Sequence, residues 1–598
     1  MPASDADSRR ARSPWWFAGW GILALVVLLV ACAAWVVTRG LMAKDDLEQA
    51  QDLASSIQKQ LAADDTAAAS KSATALAERV HSARNLTSDP IWRGAEVVPL
   101  AGANLVALRQ VSSILATVTD KAVVPLSRVA GAMNVAAFKP VNGAINLKPL
   151  LDAQPAVSGA AATMRGALTD ARAISTTDTI GQVTDAISRL RILLQKASTE
   201  VDAVNRAVQL LPPMLGTAAP RNYLVLFQNN AELRAGGGNP GALALLSVDN
   251  GRISMVQQAS STSFPHYPAP VLPLPVETAG LYGNITGEYI QDVTLTPQFP
   301  LSAALAREMW RRQFGVSVDG VLSIDPVALS YLLSATGPIK LPTGEELNSG
   351  NAVQMFLSDA YARYPVPAQQ DAFFGSAAAA IFARVAQGDF DPTAMIAALA
   401  KAGDEHRVLL WSTHSTEQTS LAQTTLAGAL PAETSPAGTF GVYLNDSTGA
   451  KMDYYLRMKI GLGATTCRKD GRPNLGVSIT LTNTAPTDAA AGLPEYVTGG
   501  GNFGVAPGSV RTEVAVYAPE SAVFLGATRD GSPLPLQSTT DSGRAVAQFP
   551  VLLTPGESST VQLEFLGARR SAAAPDVTTT PMASAITPSK LEVTCKLK

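Results

Sequence analysis

The feature that most constrains this 598-residue chain is an uncharged apolar run close to its N-terminus. Trp15 to Val37 contain neither a charged residue nor a proline. About 20 such residues cross the roughly 30 Å hydrocarbon core of a bilayer as a helix. Arg9, Arg10 and Arg12 precede the run, so the positive-inside rule predicts a cytoplasmic N-terminus and an extracytoplasmic bulk.

The sequence alone leaves three interpretations of this run open. It is a retained signal anchor over residues 15–38 after a cytoplasmic tail (1–14), a cleaved signal peptide, or the leader of a lipoprotein. Leu29 to Cys32 has the form of a lipobox, with Cys32 as the lipidated residue. The signal anchor is favoured because the apolar residues continue past Cys32 and no clean A-x-A cleavage site follows. We therefore expect a single-pass protein of the cell membrane.

Charge and cysteine usage exclude several classes of protein. The 46 Lys and Arg against 49 Asp and Glu give a net charge of −3, without the basic excess of a nucleic-acid binder. Three cysteines exclude a disulfide-dense scaffold, and four histidines argue against a His-rich metal site. The extracytoplasmic Cys467 and Cys595 lie in an oxidising compartment, so a disulfide between them is expected.

Beyond the anchor the residue patterns predict a multidomain α+β protein. Residues 41–212 are Ala-rich with apolar steps of three and four, which indicates a helical bundle, stalk or coiled coil. Residues 220–435 alternate strands and helices, which predicts an α/β domain. Within it, Asp249-Asn250-Gly251 predicts a hairpin turn between two strands. Residues 438–598 contain short strands punctuated by Pro and Gly, which is typical of a β-sandwich, with a last strand at Leu591 to Leu597.

Prolines subdivide the helical region, because proline inside a helix removes a hydrogen bond and clashes with the preceding turn. The prolines expected to separate its helices are Pro90, Pro99, Pro125, Pro140, Pro149 and Pro155.

A polar, glycine-rich turn follows the apolar strand predicted at Tyr223 to Phe227. It contains the candidate ligand-binding residues Asn230, Glu232, Arg234, Gly236 and Gly237. Ligands favour the carboxyl ends of strands in open α/β sheets, and successive glycine amides can form an anion-binding nest. The alternative is that the arginine makes a structural salt bridge and the glycines only turn the chain.

Two further acids are weaker candidates as metal ligands. Asp292 lies in a long loop, and Asp319 precedes Gly320 at the start of a predicted strand. Either carboxylate would suit a cation or a substrate hydroxyl, although Asp-Gly is also an ordinary turn sequence. The sequence contains no zinc-ligand spacing, no Walker loop and no G-x-S-x-G elbow.

The same turn carries a family resemblance. Asn222 to Leu224, Gln228 to Arg234 and the following Gly236-Gly237 resemble the signature of an uncharacterised bacterial family, domain of unknown function four thousand and twelve. Further matches are Asp89 to Trp92, Pro297 to Pro300, Val318 to Val321, and Lys451 with Asp453 to Tyr455. The resemblance implies a membrane-anchored cell-envelope protein, often associated with surface-polysaccharide genes, and it implies no activity.

A weaker similarity extends to the LytR-CpsA-Psr family. The order of one membrane helix, apolar strand, arginine-containing turn and hairpin is similar to that of these glycopolymer transferases. The likeness implies that Arg234 would bind the pyrophosphate of a polyprenyl-linked glycan, while Glu232, Asp292 or Asp319 would hold Mg²⁺.

Two hypotheses about function follow, and they leave open whether the chain is an enzyme. The first is a membrane-anchored extracytoplasmic protein that binds or helps assemble surface glycopolymer. The alternative is a Mg²⁺-dependent phosphotransferase acting on a polyprenyl-pyrophosphate-linked glycan, with Mg²⁺ required only in this case. The expected partners are the cytoplasmic membrane and a cell-wall glycopolymer or lipid-linked glycan, with no nucleic acid.

Overall fold

The computed structural model describes residues 14–63, 65–131, 135–431, 435, 437–536, 538–568 and 573–595. The chain forms two compact units, Met1–Ala137 with Leu147–Pro212, and Phe138–Asn146 with Pro213–Lys598. The described part of the first unit is helical, whereas the second contains both helices and sheets. The mixed α+β class expected from the sequence is confirmed.

The helices between residues 14 and 214 enclose an Ala-rich core. They are α1 (Pro14–Ala62), α2 (Thr66–Leu86), α3 (Pro90–Ala95), α4 (Gly102–Val118), α5 (Val124–Ala130), α6 (Lys148–Ala173) and α7 (Gly181–Met214). A π-helical turn at Thr119–Val123 joins α4 to α5. Alanines such as Ala69, Ala73 and Ala160 are fully buried, and their small side chains allow the helix backbones to approach closely.

Helix α1 is continuous from the apolar run into the bundle. Leu23–Ala62 is long and apolar enough to cross a membrane, and most of its apolar window is exposed. No helix boundary separates the predicted anchor (15–38) from the predicted bundle (41–212), because a single glycine, Gly40, does not end a helix whose remaining residues after Pro14 include no proline. Beyond the apolar run, Ala50 and Ile57 of α1 pack on Leu76 and Val80 of α2.

The prolines act mainly at helix starts. Pro90 and Pro149 each occupy the first turn of a helix, where the missing N–H costs no intrahelical hydrogen bond. Pro125 was expected to separate two helices, but it follows the π-helical turn at Thr119–Val123 without a break in the helical backbone. Pro155 was expected to end a helix but lies inside α6. Buried neighbours such as Val157, fully enclosed in the bundle, hold this helix together across the lost bond. The Pro140 segment, predicted as bundle, belongs to the second unit, where Ile145 N donates to Gly251 O at 3.0 Å.

The first sheet of the second unit has five strands in the order β3-β2-β1-β4-β7. They are β1 (Arg221–Asn229), β2 (Asn239–Asp249), β3 (Arg252–Ser260), β4 (Gly320–Ile324) and β7 (Val408–Ser412), while β5 (Ile339–Lys340) and β6 (Glu346–Leu347) form a separate hairpin. Strands β1 and β4 are parallel, and the remaining pairs are antiparallel. The hairpin predicted around Asn250-Gly251 is confirmed as the β2–β3 turn.

Helices cover both faces of this sheet. Those between residues 276 and 421 are α8 (Val276–Tyr282), α9 (Phe299–Phe314), α10 (Pro326–Thr336), α11 (Ala352–Gln354), α12 (Ala360–Arg363), α13 (Pro367–Ala386), α14 (Pro392–Asp404) and α15 (Ser415–Leu421). Leu224 and Leu226 of β1 pack with α9, whereas Val225 packs with α10 and α14 on the other side. Burial on both faces explains why β1 is continuously apolar.

Two further sheets pack face to face as a β-sandwich. Their strands are β8 (Thr439–Asp446), β9 (Leu456–Thr465), β10 (Asn474–Asn483), β11 (Val510–Tyr517), β12 (Val523–Arg529), β13 (Ser532–Pro533), β14 (Ser538–Asp541), β15 (Arg544–Leu553), β16 (Ser558–Leu566), β17 (Asp576–Thr579) and β18 (Ser589–Lys590). Two short helices, α16 (Ala489–Gly492) and α17 (Glu495–Thr498), follow β10. Phe440, Phe549 and Phe565 fill the space between the sheets.

The end of the sandwich differs from the prediction. A last strand was expected at Leu591 to Leu597, but residues 591–595 form none and residues 596–598 lie outside the described residues. The terminal strand is instead β18, whose Ser589 and Lys590 pair with β9. Cys595 is bonded to Cys467 across a sequence separation of 128, with the Cα atoms 5.5 Å apart.

Removal of this disulfide will destabilise the second unit. Because the bond closes a long loop in the unfolded chain, Cys467→Ser with Cys595→Ser is expected to cost about 2–5 kcal/mol. Urea unfolding followed by tryptophan fluorescence measures the change. Cys32→Ser, at the free thiol of α1, is the matched control. An unchanged midpoint for the double variant would contradict the expectation.

Candidate functional site

The polar turn after β1 lies in the interior of the second unit, between the five-stranded sheet and the sandwich. Asn230, Glu232 and Arg234 are all buried, with exposed fractions of 0, 5 and 6%. Backbone bonds join the turn to the sandwich, because Asp446 N donates to Leu233 O (2.9 Å) and Asp453 N donates to Ala231 O (3.1 Å). The turn is therefore a structural junction.

Local hydrogen bonds explain the shape of this turn. Asn229 caps it, since its side-chain Oδ1 accepts from Ala231 N (3.1 Å) and its carbonyl oxygen accepts from Glu232 N (3.1 Å). Gly238 passes so close to Asn229 that a Cβ would lie 2.4 Å from that backbone. Gly237 has a φ of +126°, which L side chains rarely adopt.

Four charged side chains form a network around the turn, two from the turn itself and two from other segments. Arg234 Nη2 donates to Glu232 Oε1 at 3.0 Å and to Asp292 Oδ1 at 3.1 Å. The other carboxylate oxygen of Glu232 accepts from Lys451 Nζ at 2.5 Å. Asn239 Nδ2 also donates to Glu232 Oε1, at 2.9 Å. Glu232 thus connects the α/β sheet to the sandwich through both of its oxygens.

This pairing sets the charge state of the network. Burial alone would raise the pKa of Glu232, but Lys451 and Arg234 lower it below its usual value. Burial raises the pKa of Asp292, and Arg234 offsets only part of that effect. Burial opposes the charge of Lys451, yet Glu232 and the neighbouring tyrosines Tyr361 and Tyr496 raise its pKa. The Glu232–Lys451 pair is therefore ionised at neutral pH.

Two further buried acids surround the network without a cation of their own. Asp453 Oδ2 accepts from Leu233 N at 2.8 Å, while its Oδ1 has no partner among the described residues. Asp446 accepts from Thr448 and Gly449. Burial and the charge of Glu232 raise the pKa of Asp446 to about 6, and burial with Asp446 raises the pKa of Asp453 well above its usual value. Asp453 therefore favours its protonated form more strongly than an ordinary aspartate does.

The glycine amides do not form the expected anion nest. Gly236 N donates to Thr294 O at 3.0 Å, and Gly237 N donates to Arg234 O at 2.8 Å. Asn230 Nδ2 is likewise engaged, with Gly237 O, Asp325 Oδ2 and Pro581 O. Arg234 therefore makes the structural salt bridge that the sequence analysis gave as the alternative, and the glycines turn the chain.

The two candidate metal ligands lie at opposite ends of β1. Asp292 contacts Arg234, whereas Asp319 Oδ2 accepts from Asn222 N (2.9 Å) and its Oδ1 pairs with Arg221 and His414. Seven residues of strand, about 23 Å, separate Asn222 from the end of β1. The described residues contain no cluster of three metal-ligating side chains. Asp319, Asp292 and Glu232 therefore do not fit a shared Mg²⁺ site.

A cleft opens beside this network, at the carboxyl ends of β1 and β4. Its volume is about 420 Å³. Gln228 and Asn229 end β1 at its floor, Asp325 and Pro326 follow β4, and α13 forms one wall. Lys451 reaches the cleft from the sandwich and lies 5.8 Å from the ring centre of Tyr361 and 5.2 Å from that of Tyr496. The position agrees with the expectation that ligands bind at this end of the strands.

Sequence reasoning missed the residues that complete the site. Lys451, Asp446 and Asp453 are more than 200 positions from Glu232 along the chain, and only the family resemblance drew attention to Lys451 and Asp453. Arg407 is a second case, since its Nη1 donates to Asp325 Oδ2 at 2.7 Å beside the cleft. A lysine before an apolar strand, such as Lys451, indicates a buried cation that needs a carboxylate partner, because a buried charge is costly unless it is paired.

Comparisons with known proteins support the family resemblance. Residues 218–361 match the model of a family described as protein of unknown function (DUF4012). The matched segment spans β1 to Tyr361 and so contains Glu232, Arg234 and Asp292. No curated protein matches the chain.

Removing the charge of Glu232 will destabilise the fold more than removing the carboxyl group of the neighbouring Asp453. Glu232→Gln leaves Lys451 buried without its counter-ion, so we expect a loss of about 3–5 kcal/mol in the free energy of unfolding. Asp453→Asn is the matched control, because asparagine resembles the protonated acid and still accepts from Leu233 N; its effect should stay below about 1 kcal/mol. Urea titrations measure both, and equal losses would contradict the assigned charge states.

Asp446 will make stability pH-dependent in a defined direction. The folded state keeps its proton up to about pH 6, whereas the unfolded carboxyl loses it near 3.8. This group therefore stabilises the fold most below pH 4, and its contribution falls as the pH rises through the window. Relative to wild type, Asp446→Asn should gain on the order of 2 kcal/mol between pH 4 and 6. Unfolding titrations across that range measure the difference, and a constant or opposite difference would refute the shift.

Proposed function

We propose that this chain, whose residues 218–361 carry the DUF4012 match, is a single-pass envelope protein that binds surface glycan in the cleft beside Lys451. The observation that carries the proposal is the cleft itself. It combines aromatic walls with buried hydrogen-bond acceptors that no described residue satisfies. This is the binding hypothesis drawn from the sequence, now attached to specific residues.

The long apolar helix supports the membrane anchor. Leu23–Ala62 has the length and composition of a span, and three arginines precede Trp15. A cytoplasmic N-terminus would place the chain beyond the span, and with it the whole second unit, outside the cytoplasm. A disulfide between Cys467 and Cys595 is in keeping with an oxidising compartment.

The lining of the cleft suits both the apolar faces and the hydroxyl edges of a sugar ring. Sugar rings carry apolar C–H faces that pack on aromatic rings, and Phe374, Tyr361 and Tyr496 line the cleft. The remaining lining is rich in amides, hydroxyls and carboxylates, which suit the hydroxyl edges of a sugar. These polar residues are Gln228, Asn229, Asn239, Gln258, Ser260, Ser261, Thr262, Ser263, Asp325, Gln370 and Asp371.

Two unsatisfied acceptors favour a ligand that donates hydrogen bonds. Gln228 is 3% exposed and Asn239 is 8% exposed, and both line the cleft. Each uses its NH₂ group, with Gln228 donating to Ser323 Oγ (2.9 Å) and Asn239 donating to Glu232. Gln228 Oε1 and Asn239 Oδ1 have no partner among the described residues. Since unsatisfied buried acceptors are costly, ligand hydroxyls would stabilise this site.

The phosphotransferase alternative has less support. It requires Arg234 to bind pyrophosphate, yet this guanidinium is 6% exposed and already contacts Glu232, Asp292 and Leu233 O. An anion would have to displace two carboxylates from a buried arginine. The binding hypothesis needs no such rearrangement.

The binding proposal is tested by titrating the full chain, reconstituted in nanodiscs, with labelled oligosaccharides. The probes are fragments of the producing bacterium's envelope glycan carrying a fluorophore at the reducing end. Tyr496→Ala should weaken binding about tenfold, equivalent to about 1.4 kcal/mol, because it removes one aromatic wall. Fluorescence polarisation gives the Kd.

The control is Leu525→Ala, which truncates an exposed side chain of the sandwich outside the cleft. Leu525 is 51% exposed and Tyr496 is 43% exposed, so the two truncations are comparable. The proposal predicts wild-type affinity for Leu525→Ala. Absence of saturable binding by wild type, or equal affinity of the two variants, would contradict it.

A further inference from the structure

The connection between α2 and α4 exposes an unusual group of apolar side chains. Its apolar tip comprises Ile91, Val97, Val98 and Leu100, which are 40, 84, 48 and 91% exposed. Isolated apolar residues are common on protein surfaces, but four within ten positions form a patch. Such a patch usually marks a contact with another molecule or with a membrane.

The apolar tip lies where the apolar run of α1 ends. Leu86, the last residue of α2, lines a depression together with Ala31, Trp35 and Thr38 of α1. Asp89 pairs with Arg39, the first charged residue after the run, at 3.1 Å. These contacts place the tip beside the boundary of the membrane-spanning stretch.

Packing fixes the tip at this position. Trp92 is fully buried and packs on Gly40 of α1, where an added Cβ would lie 3.6 Å from its ring. Trp92 Nε1 also donates to Leu105 O at 3.2 Å, which joins α3 to α4. The tip therefore cannot move away from α1 without exposing a tryptophan.

Leu100 is unfavourable in two respects, the exposure of its side chain to water and its backbone conformation. Its side chain is 91% exposed, and its backbone has a φ of +70°, a region that disfavours residues with a Cβ. Asn104 Nδ2 holds the backbone by donating to Leu100 O at 3.1 Å. The fold thus presents this leucine outward although neither solvation nor backbone preference favours it.

The charges around the tip suit a lipid headgroup region. Glu96 is neutralised by Arg109, whose Nε and Nη2 donate to it at 2.5 and 3.2 Å, and Asp89 is neutralised by Arg39. Arg93 is exposed between Ile91 and Val97. Basic side chains at this level attract anionic lipid headgroups.

We infer that Ile91, Val97, Val98 and Leu100 insert into the interface of the same membrane that α1 spans, on its extracytoplasmic side. The inference rests on the proposed anchor. It adds a second attachment point beside the span, so that the bundle is fixed against the bilayer instead of pivoting at Arg39. The bilayer is the favoured occupant because the tip lies beside the end of the exposed apolar run of α1.

Site-directed fluorescence tests this insertion in the full chain. On a Cys32→Ser background, Leu100→Cys is labelled with an environment-sensitive fluorophore and reconstituted in vesicles of phosphatidylethanolamine and phosphatidylglycerol. Lipids that carry a nitroxide near the headgroup should quench this label at least about twofold, since interfacial segments lie about 5–10 Å into the headgroup–acyl boundary. Leu61→Cys is the matched control, because Leu61 is 42% exposed near the far end of α1, about 30 Å from Gly40.

The outcomes separate the tip from the anchor. In the wild-type chain, a label on Cys32 reports the span, and lipids with a deep nitroxide should quench it. Quenching at Cys32 with none at Leu100 would overturn the insertion and leave the anchor intact. No quenching at Cys32 would overturn both. A blue-shifted Leu100 label that the lipids do not quench would assign the tip to a protein partner and overturn the inference.

Discussion

The structure depends on the buried contact of Glu232 with Arg234 and Lys451. Arg234 lies two residues along the same turn, whereas Lys451 comes from the sandwich, 219 positions away. An unpaired charge in this interior would cost several kcal/mol, so the three side chains require one another. The sheet and the sandwich consequently form one compact unit, although the sequence pattern predicts two domains.

The same contact shapes the cleft. Glu232 holds Lys451 against the tyrosines at one end, and Asn239, which donates to Glu232, presents its other amide atom at the cleft lining. Asp325, which also lines the cleft, forms a similar buried pair with Arg407. A cleft bounded by paired charges is preorganised, which reduces the ordering cost of binding a flexible glycan.

Local sequence predicted the parts of the fold that depend on neighbours along the chain. The apolar run of α1, the strand at Tyr223 to Phe227 and the turn at Asn250-Gly251 follow from composition, periodicity and φ preference. The site could be located at the end of β1 but not described, because Lys451 and Asp453 join it only through tertiary packing. The same reason explains why Asp319 lies apart from the turn, since the sequence does not show that β1 and β4 are parallel and so bring the start of β4 beside the start of β1. Pro155 fails as a helix boundary because the buried face of α6 outweighs one lost hydrogen bond.

We therefore propose a membrane-anchored bundle followed by a second unit whose cleft binds a hydroxyl-rich ligand. Its central claim is that Gln228 and Asn239 bind glycan hydroxyls. A crystal structure of the full chain with an envelope oligosaccharide bound tests this claim most directly. The account predicts sugar hydroxyls within hydrogen-bonding distance of Gln228 Oε1 and Asn239 Oδ1, with a ring stacked on Tyr496. Sugar bound elsewhere, with both oxygens still unpartnered, would contradict it.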